Sequence, residues 1–188
     1  MKRREATGWI LKSAIFTPGL ISAIQACQRQ IEELVDLQVL DHDQYQLCNA
    51  IADTILPKTE SVSASEVKVI EIMDLMMRDV FEQEVVDSFL QGLRAFDQEC
   101  QDAQGKSFAK LQQEQQNQYL TTLDKKVMGV DYHDTIPFYY TFKKLCVEIY
   151  FQTEQGVKQN LEYNPIPGPY AGDVELKAGD KIVVGNAM

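Results

Sequence analysis

Apolar residues recur every three or four positions through most of this chain, and that spacing constrains the fold more than any other feature. Leu47, Ile51 and Ile55 fall one helical turn apart, with Ala50 and Thr54 beside them. Such a repeat places one apolar stripe on a helix of 3.6 residues per turn. Asp41-His42-Asp43 supplies N-cap side chains ahead of the stripe, and Pro57 ends it, because proline disfavours helical geometry in the residue before it. Val69, Ile72, Met73, Met76 and Val80 mark a second stripe, with Ser63 or Ser65 as its expected cap. Phe81, Val85, Phe89, Leu93, Phe96 and Cys100 mark a third. Gly92 lies inside it, where glycine costs about 1 kcal/mol against alanine and permits a close helix crossing. Gly105 breaks the pattern. Leu111, Tyr119, Leu120 and Leu123 mark a fourth helix, and Gly129 to Tyr132 reads as a connection. Pro137 stands where a fifth helix begins, followed by Phe138, Phe142, Leu145 and Ile149, with Tyr139, Tyr140, Tyr150 and Phe151 nearby. These stripes predict an all-α protein, a small bundle of about five to six helices.

The pattern changes after about residue 160. Pro165, Pro167 and Pro169 each remove a backbone donor and fix φ, so an extended, polyproline-like tail with exposed tyrosines is expected. Ile182-Val183-Val184 reads as one short strand. The expected organisation is a signal over residues 1–27, a bundle over 28–160 and an extended tail over 161–188, packed on the bundle or on a partner.

The signal rests on charge and sequence order. The 188-residue chain carries a net charge of −10, but Lys2, Arg3, Arg4 and Lys12 against Glu5 make the first 27 residues +3 and leave −13 for the rest. A basic start before an interrupted apolar stretch is the grammar of an export signal. Arg3 and Arg4 suggest the twin-arginine route, which carries folded proteins. Ile24-Gln25-Ala26-Cys27 resembles a lipobox, with Cys27 as the residue to be lipidated and tethered to a membrane. The expected location is therefore the periplasm, with or without a lipid anchor. The acidic remainder has no clustered Lys and Arg patch of the kind nucleic acid requires, so nucleic acid is not an expected partner.

The residues that would carry catalysis are not assembled in the sequence. His42 and His133 are each flanked by Asp and lie outside any HExxH or HxxxH pair; a helix start and a loop account for them. Cys48, Cys100 and Cys146 lack CxxC spacing and sit at or beside the apolar stripes, where a small buried hydrophobe is the default reading; in an oxidising compartment two of the three could pair. No GxGxxG, GxxxxGK[ST] or GxSxG element is present. The acids Glu32-Glu33, Glu82 with Glu84, and Asp131 with Asp134 read as solvated faces or turns, and Met73, Met76 and Met77 as core packing. No catalytic, metal-binding or cofactor-binding residue is assigned in this chain.

Two stretches carry a resemblance. Leu47–Lys58, LCNAIADTILPK, is similar to the early helix of the gluconate 2-dehydrogenase subunit 3 family, which ends in Ala-Asp-Thr-Ile-(Ile/Leu)-Pro. Phe138–Leu176 resembles that family's ending, an aromatic helix followed by Tyr-x-Pro-x-Pro-Gly-x-Tyr, here Tyr163, Pro165, Pro167, Gly168 and Tyr170. Phe89–Leu93 and Phe108–Leu123 fit the middle helices more loosely. Asp173 stands where the family often has a cysteine.

The resemblance implies a non-catalytic small subunit that binds, matures and helps export a FAD-dependent sugar or alcohol dehydrogenase of the glucose–methanol–choline type. FAD then belongs to the large subunit, and a cytochrome c subunit is a further expected partner. Tyr163, Pro165, Pro167, Gly168 and Tyr170, with the Phe138–Phe151 helix, are the expected contact residues; the competing readings are an aromatic core and a tail that wraps the bundle. Two other functions are weighed against this one, an independent lipid-anchored helical binding protein and a self-sufficient oxidoreductase using the acids near His133.

Overall fold

The computed structural model describes residues 36–128 and 136–163 and, near the C-terminus, residues 173, 175, 177 and 179–184. The chain divides into two units, residues 1–36 and 37–188, and every helix and strand described belongs to the second. The signal residues Arg3, Arg4 and Cys27, the loop residue His133, and the tail residues Pro165, Pro167, Gly168 and Tyr170 lie outside the described residues.

Six α-helices are found among the described residues: α1 His42–Ile55, α2 Val69–Asp79, α3 Gln83–Gln104, α4 Gln113–Val127, α5 Phe138–Tyr150 and α6 Glu154–Asn160. A 3-10 turn, Phe108–Lys110, joins α3 to α4. Among the described residues the fold is all-α with almost no strand, as the stripes predict. The one sheet among the described residues is a parallel pair, β1 Leu161–Tyr163 with β2 Ile182–Val184, in the register Leu161 to Ile182 and Tyr163 to Val184. The strand expected at Ile182–Val184 is present; its pairing with residues directly after α6 carries no sequence signal.

Local chemistry sets the helix ends. Asp41 accepts from the Gln44 amide at 2.8 Å while Gln44 Oε1 accepts from the Asp41 amide at 3.0 Å, a reciprocal cap for α1. Gly105 closes α3 at φ 75, a left-handed conformation that glycine adopts without a Cβ penalty. Pro137 is the N-cap of α5, and its missing donor costs nothing there.

Ser63 and Ser65 do not cap α2, which corrects the expectation. Ser63 accepts from the Glu66 amide at 3.4 Å and donates its own amide to Glu66 Oε2 at 2.8 Å, so it starts a turn at 64–68. Ser65 is held instead by Asp53 of α1, which accepts from its amide at 2.8 Å and its hydroxyl at 2.7 Å. Lys68, at φ 58, then separates the turn from α2.

The core lies where α5 packs on α1, α2 and α3. Cys48 and Ile51 of α1, Ile70 and Met73 of α2, Leu93 of α3, Phe108, and Phe142 and Cys146 of α5 are fully buried. Large apolar side chains of this kind supply roughly 1.5–3 kcal/mol each when removed from water. The α3 stripe packs as expected at Phe89, Leu93, Phe96 and Cys100, but both it and the α2 stripe depart from expectation at single positions. On α2 the buried residues include Val69, Ile70, Met73 and Met77, whereas Val80 is 66% exposed. On α3 it is Val86, not Val85, that enters the core.

Gly92 permits the close crossing its sequence position suggests. A Cβ there would stand 2.7 Å from Cβ and Cδ2 of Phe138. Gly92→Ala should lower stability by up to about 2 kcal/mol, because overpacking of roughly 1–3 kcal/mol opposes a helix-propensity gain of about 1 kcal/mol. Urea unfolding measures this; a variant more stable than the parent would show that α3 and α5 are not in close contact at this point.

Candidate functional site

The aromatic residues of α3 and α5 interlock. Phe89 meets Phe138 edge-on at 5.2 Å between ring centroids and Phe142 in a stacked arrangement at 6.0 Å. Phe96 stacks on Tyr139 at 6.4 Å. Higher residues of α3 meet lower residues of α5, so the two helices run antiparallel. Most of the α5 aromatics are therefore core: Tyr139, Phe142 and Tyr150 are buried. Their geometry supports packing, with the edge-to-face pairs adding about 0.5–1.5 kcal/mol each beyond burial.

Outside that interlock the two helices leave a groove of about 580 Å³. Phe81, Val85, Gly92 and Ala95 form one bank, and Ile136, Phe138, Thr141 and Leu145 the other. Val85 is 51% exposed and Ile136 56% exposed, so the groove is open to solvent along an apolar lining. Exposed apolar residues that cluster in this way mark an interaction surface, whereas single ones carry no such meaning. The stripe rule missed this surface because Val85 and Val86 are adjacent and both fit one turn from Phe89; a stripe too wide for one neighbour was the available signal.

A second hollow, about 550 Å³ and lined by Asp41, Asp43, Arg94, Asp97 and Lys110, is polar. Asp97 is already used there, accepting from the Ser107 hydroxyl at 2.9 Å and the Phe108 amide at 2.8 Å. His42 lies at the start of α1 with its ring paired to Gln46 at 2.7 Å in solvent. Among the described residues no group of three or more His, Cys, Asp or Glu could hold a metal ion. No described helix is long and apolar enough to cross a membrane.

Buried and half-buried ionisable groups make contacts that hold the fold together. Asp74 of α2, 1% exposed, accepts from the amides of Gln38, Val39 and Leu40 at 2.6, 3.0 and 2.8 Å, and so fixes the stretch of chain that enters α1. Lys143 donates to both oxygens of Asp124 at 2.8 and 2.7 Å. Tyr139 lies in the same cluster; burial, and then its hydrogen bond to Asp124, raises its phenol well above the usual 10.0. Tyr45 donates to Glu71 at 2.9 Å, and burial raises its phenol too.

Cys48, Cys100 and Cys146 are free and buried. Burial pushes the Cys48 and Cys146 thiols well up, and Cys100 from the usual 9.0 to about 11, with Asp97 adding to the last. A buried, protonated thiol is a poor nucleophile. An aromatic disulfide reagent should label none of these three in the native protein at neutral pH and all three in denaturant. Their raised values also set a pH limit. The neutral forms are favoured by the fold, so this stability is complete below about pH 9 and is lost as pH rises towards 11 for Cys100 and towards about 12 for Tyr119, which burial raises from 10.0. Thermal midpoints measured from pH 8 to pH 12 should fall across that window; a flat profile would contradict it.

A profile of the gluconate 2-dehydrogenase subunit 3 family matches residues 42–168, from the first residue of α1 into the proline-rich segment. The chain belongs to that family. No curated protein and no solved structure matches it. The gluconate 2-dehydrogenase subunit 3 family is one of accessory subunits within a multi-subunit dehydrogenase complex. The signature Ala52-Asp53-Thr54-Ile55-Leu56-Pro57 gains a physical role from the fold. Ala52 is core, Asp53 anchors the turn at Ser65, Thr54 donates to the Ala50 carbonyl at 2.7 Å, and Pro57 follows the C-cap. Of the tail residues, Tyr163 closes β1, and its backbone pairs with Val184.

Proposed function

We propose that this subunit 3 family member is a non-catalytic partner that binds, matures and helps export a FAD-dependent dehydrogenase of the glucose–methanol–choline type. The observation that carries the reading is the family match across residues 42–168. The catalytic cofactor, FAD, belongs to the large subunit. Arg3 and Arg4 address the pair to the twin-arginine route, which passes folded cargo and so moves two bound chains on one signal. Cys27 is the site of a lipid tether, and the location is periplasmic. A cytochrome c subunit completes the electron path.

Tyr163, Pro165, Pro167, Gly168 and Tyr170 form one contact region. A proline-rich segment loses little conformational entropy on docking, and tyrosine offers large contact area with few rotatable bonds. The test is purification of the tagged, full-length chain from its native host. Co-elution with a yellow flavoprotein of larger mass is the expected result. A colourless monomer that retains no flavoprotein would refute the proposal.

A further inference from the structure

We infer that the groove between α3 and α5 docks an amphipathic helix of the dehydrogenase partner, apolar on its inner face and bearing Lys or Arg along the edge that faces α3. The inference rests on the accessory-subunit role proposed for this chain. Shape supports a helix. From Val85 to Ala95 the α3 bank runs about 15 Å at 1.5 Å per residue, the length of some three turns of a facing helix. An amphipathic helix laid along an apolar groove is a recurrent recognition mode.

Charge selects the occupant. Glu84 and Asp87 are exposed one helical turn before the groove residues Ser88 and Gln91 of α3, and Glu82 is exposed at its N-cap. Asp87 accepts from Gln83 Nε2 at 2.9 Å, a neutral donor, and takes part in no ion pair among the described residues. The nearby Arg78 is engaged by Asp79, and Lys144 on the opposite bank stands 3.9 Å from Glu148. An acidic flank beside an apolar floor attracts a segment with basic residues beside apolar ones, and such complementarity raises the association rate. It also disfavours a second copy of this chain, whose net charge of −10 would be brought against the same carboxylates. A small molecule fits less well, because the charged residues that line the groove, Lys144 and Glu148, are more than half exposed and face each other rather than a ligand.

The test uses the full-length chain with the flavoprotein subunit recovered from the native host. Val85 and Ile136 are both more than half exposed, so Val85→Asp with Ile136→Asp should leave the fold and the thermal midpoint unchanged. That double variant should weaken the complex at least about 100-fold, the loss of a hot-spot pair. Glu84→Lys with Asp87→Lys should slow association about tenfold at low salt and flatten its salt dependence. Parent-like affinity of a folded Asp double variant would overturn the groove alone and leave the accessory role intact. A parent chain that forms a dimer, dissolved by the same Asp variant, would give the groove to a second copy and also overturn the inference. A parent chain that captures no flavoprotein would overturn both this inference and the accessory role beneath it.

Discussion

Replacing Asp74 with alanine should lower the stability of the bundle by about 3–5 kcal/mol, because a buried charged acceptor with three donors is removed and those donors are left without a partner. The three amides belong to Gln38, Val39 and Leu40, consecutive residues just ahead of α1. Water can reach only part of the site, since Leu40 is buried at 4% exposure and Asp74 at 1%. The asparagine variant separates charge from geometry. Its carbonyl can still serve Val39 and Leu40, which both bond to one carboxylate oxygen, but its NH₂ group then faces the Gln38 amide, donor against donor. Asp74→Asn should therefore cost about 2 kcal/mol, less than alanine but well above an ordinary surface change. Urea unfolding measures both. Limited proteolysis adds a local readout, since freeing residues 38–40 should create a new cleavage site there. A loss below about 1 kcal/mol for alanine would show that the carboxylate does not hold this segment.

Phe142→Ala should cost a similar amount, about 3–5 kcal/mol, the range for deleting a buried phenyl ring that its surroundings cannot refill. The ring is fully buried, with Phe89 at 6.0 Å and Phe138 at 5.6 Å, and it lies behind the groove. Collapse into the cavity is restricted because Phe138 is already pressed against Gly92. The effect should be seen as a lower urea midpoint with an unchanged slope. A cost under about 1.5 kcal/mol would mean that α3 and α5 can close over the space, and that the groove is less rigid than its packing implies.

The helices are readable in the sequence because their caps and stops are local. Asp41, Gly105 and Pro137 act within a few residues of where they stand, and Gly92 signals a close approach by lacking a side chain. The concealed features depend on partners far along the chain. Asp74 lies one turn beyond Ile70 on the buried face, where a charge breaks the apolar pattern; its three donors are more than thirty positions earlier. Lys68 adopts φ 58 in a position where no glycine or asparagine announces it. The groove was hidden for a related reason. Periodicity identifies a stripe on α3, but which edge meets α5 and which meets solvent is decided by the helix opposite, so Val86 enters the core and Val85, the expected stripe residue, does not. The family signature at 52–57 was legible as a motif before the fold explained it, and its Asp53 proves to be an anchor for the following turn.

That this chain serves another protein's chemistry is tested most directly in the native host, with the gene for this chain deleted and then restored, following both dehydrogenase activity and the location of the flavoprotein. Deletion should remove the periplasmic activity and leave the flavoprotein inside the cell, and restoration should recover both. A flavoprotein that is exported and fully active without this chain would contradict that role, as would turnover of a sugar or alcohol by the purified chain alone.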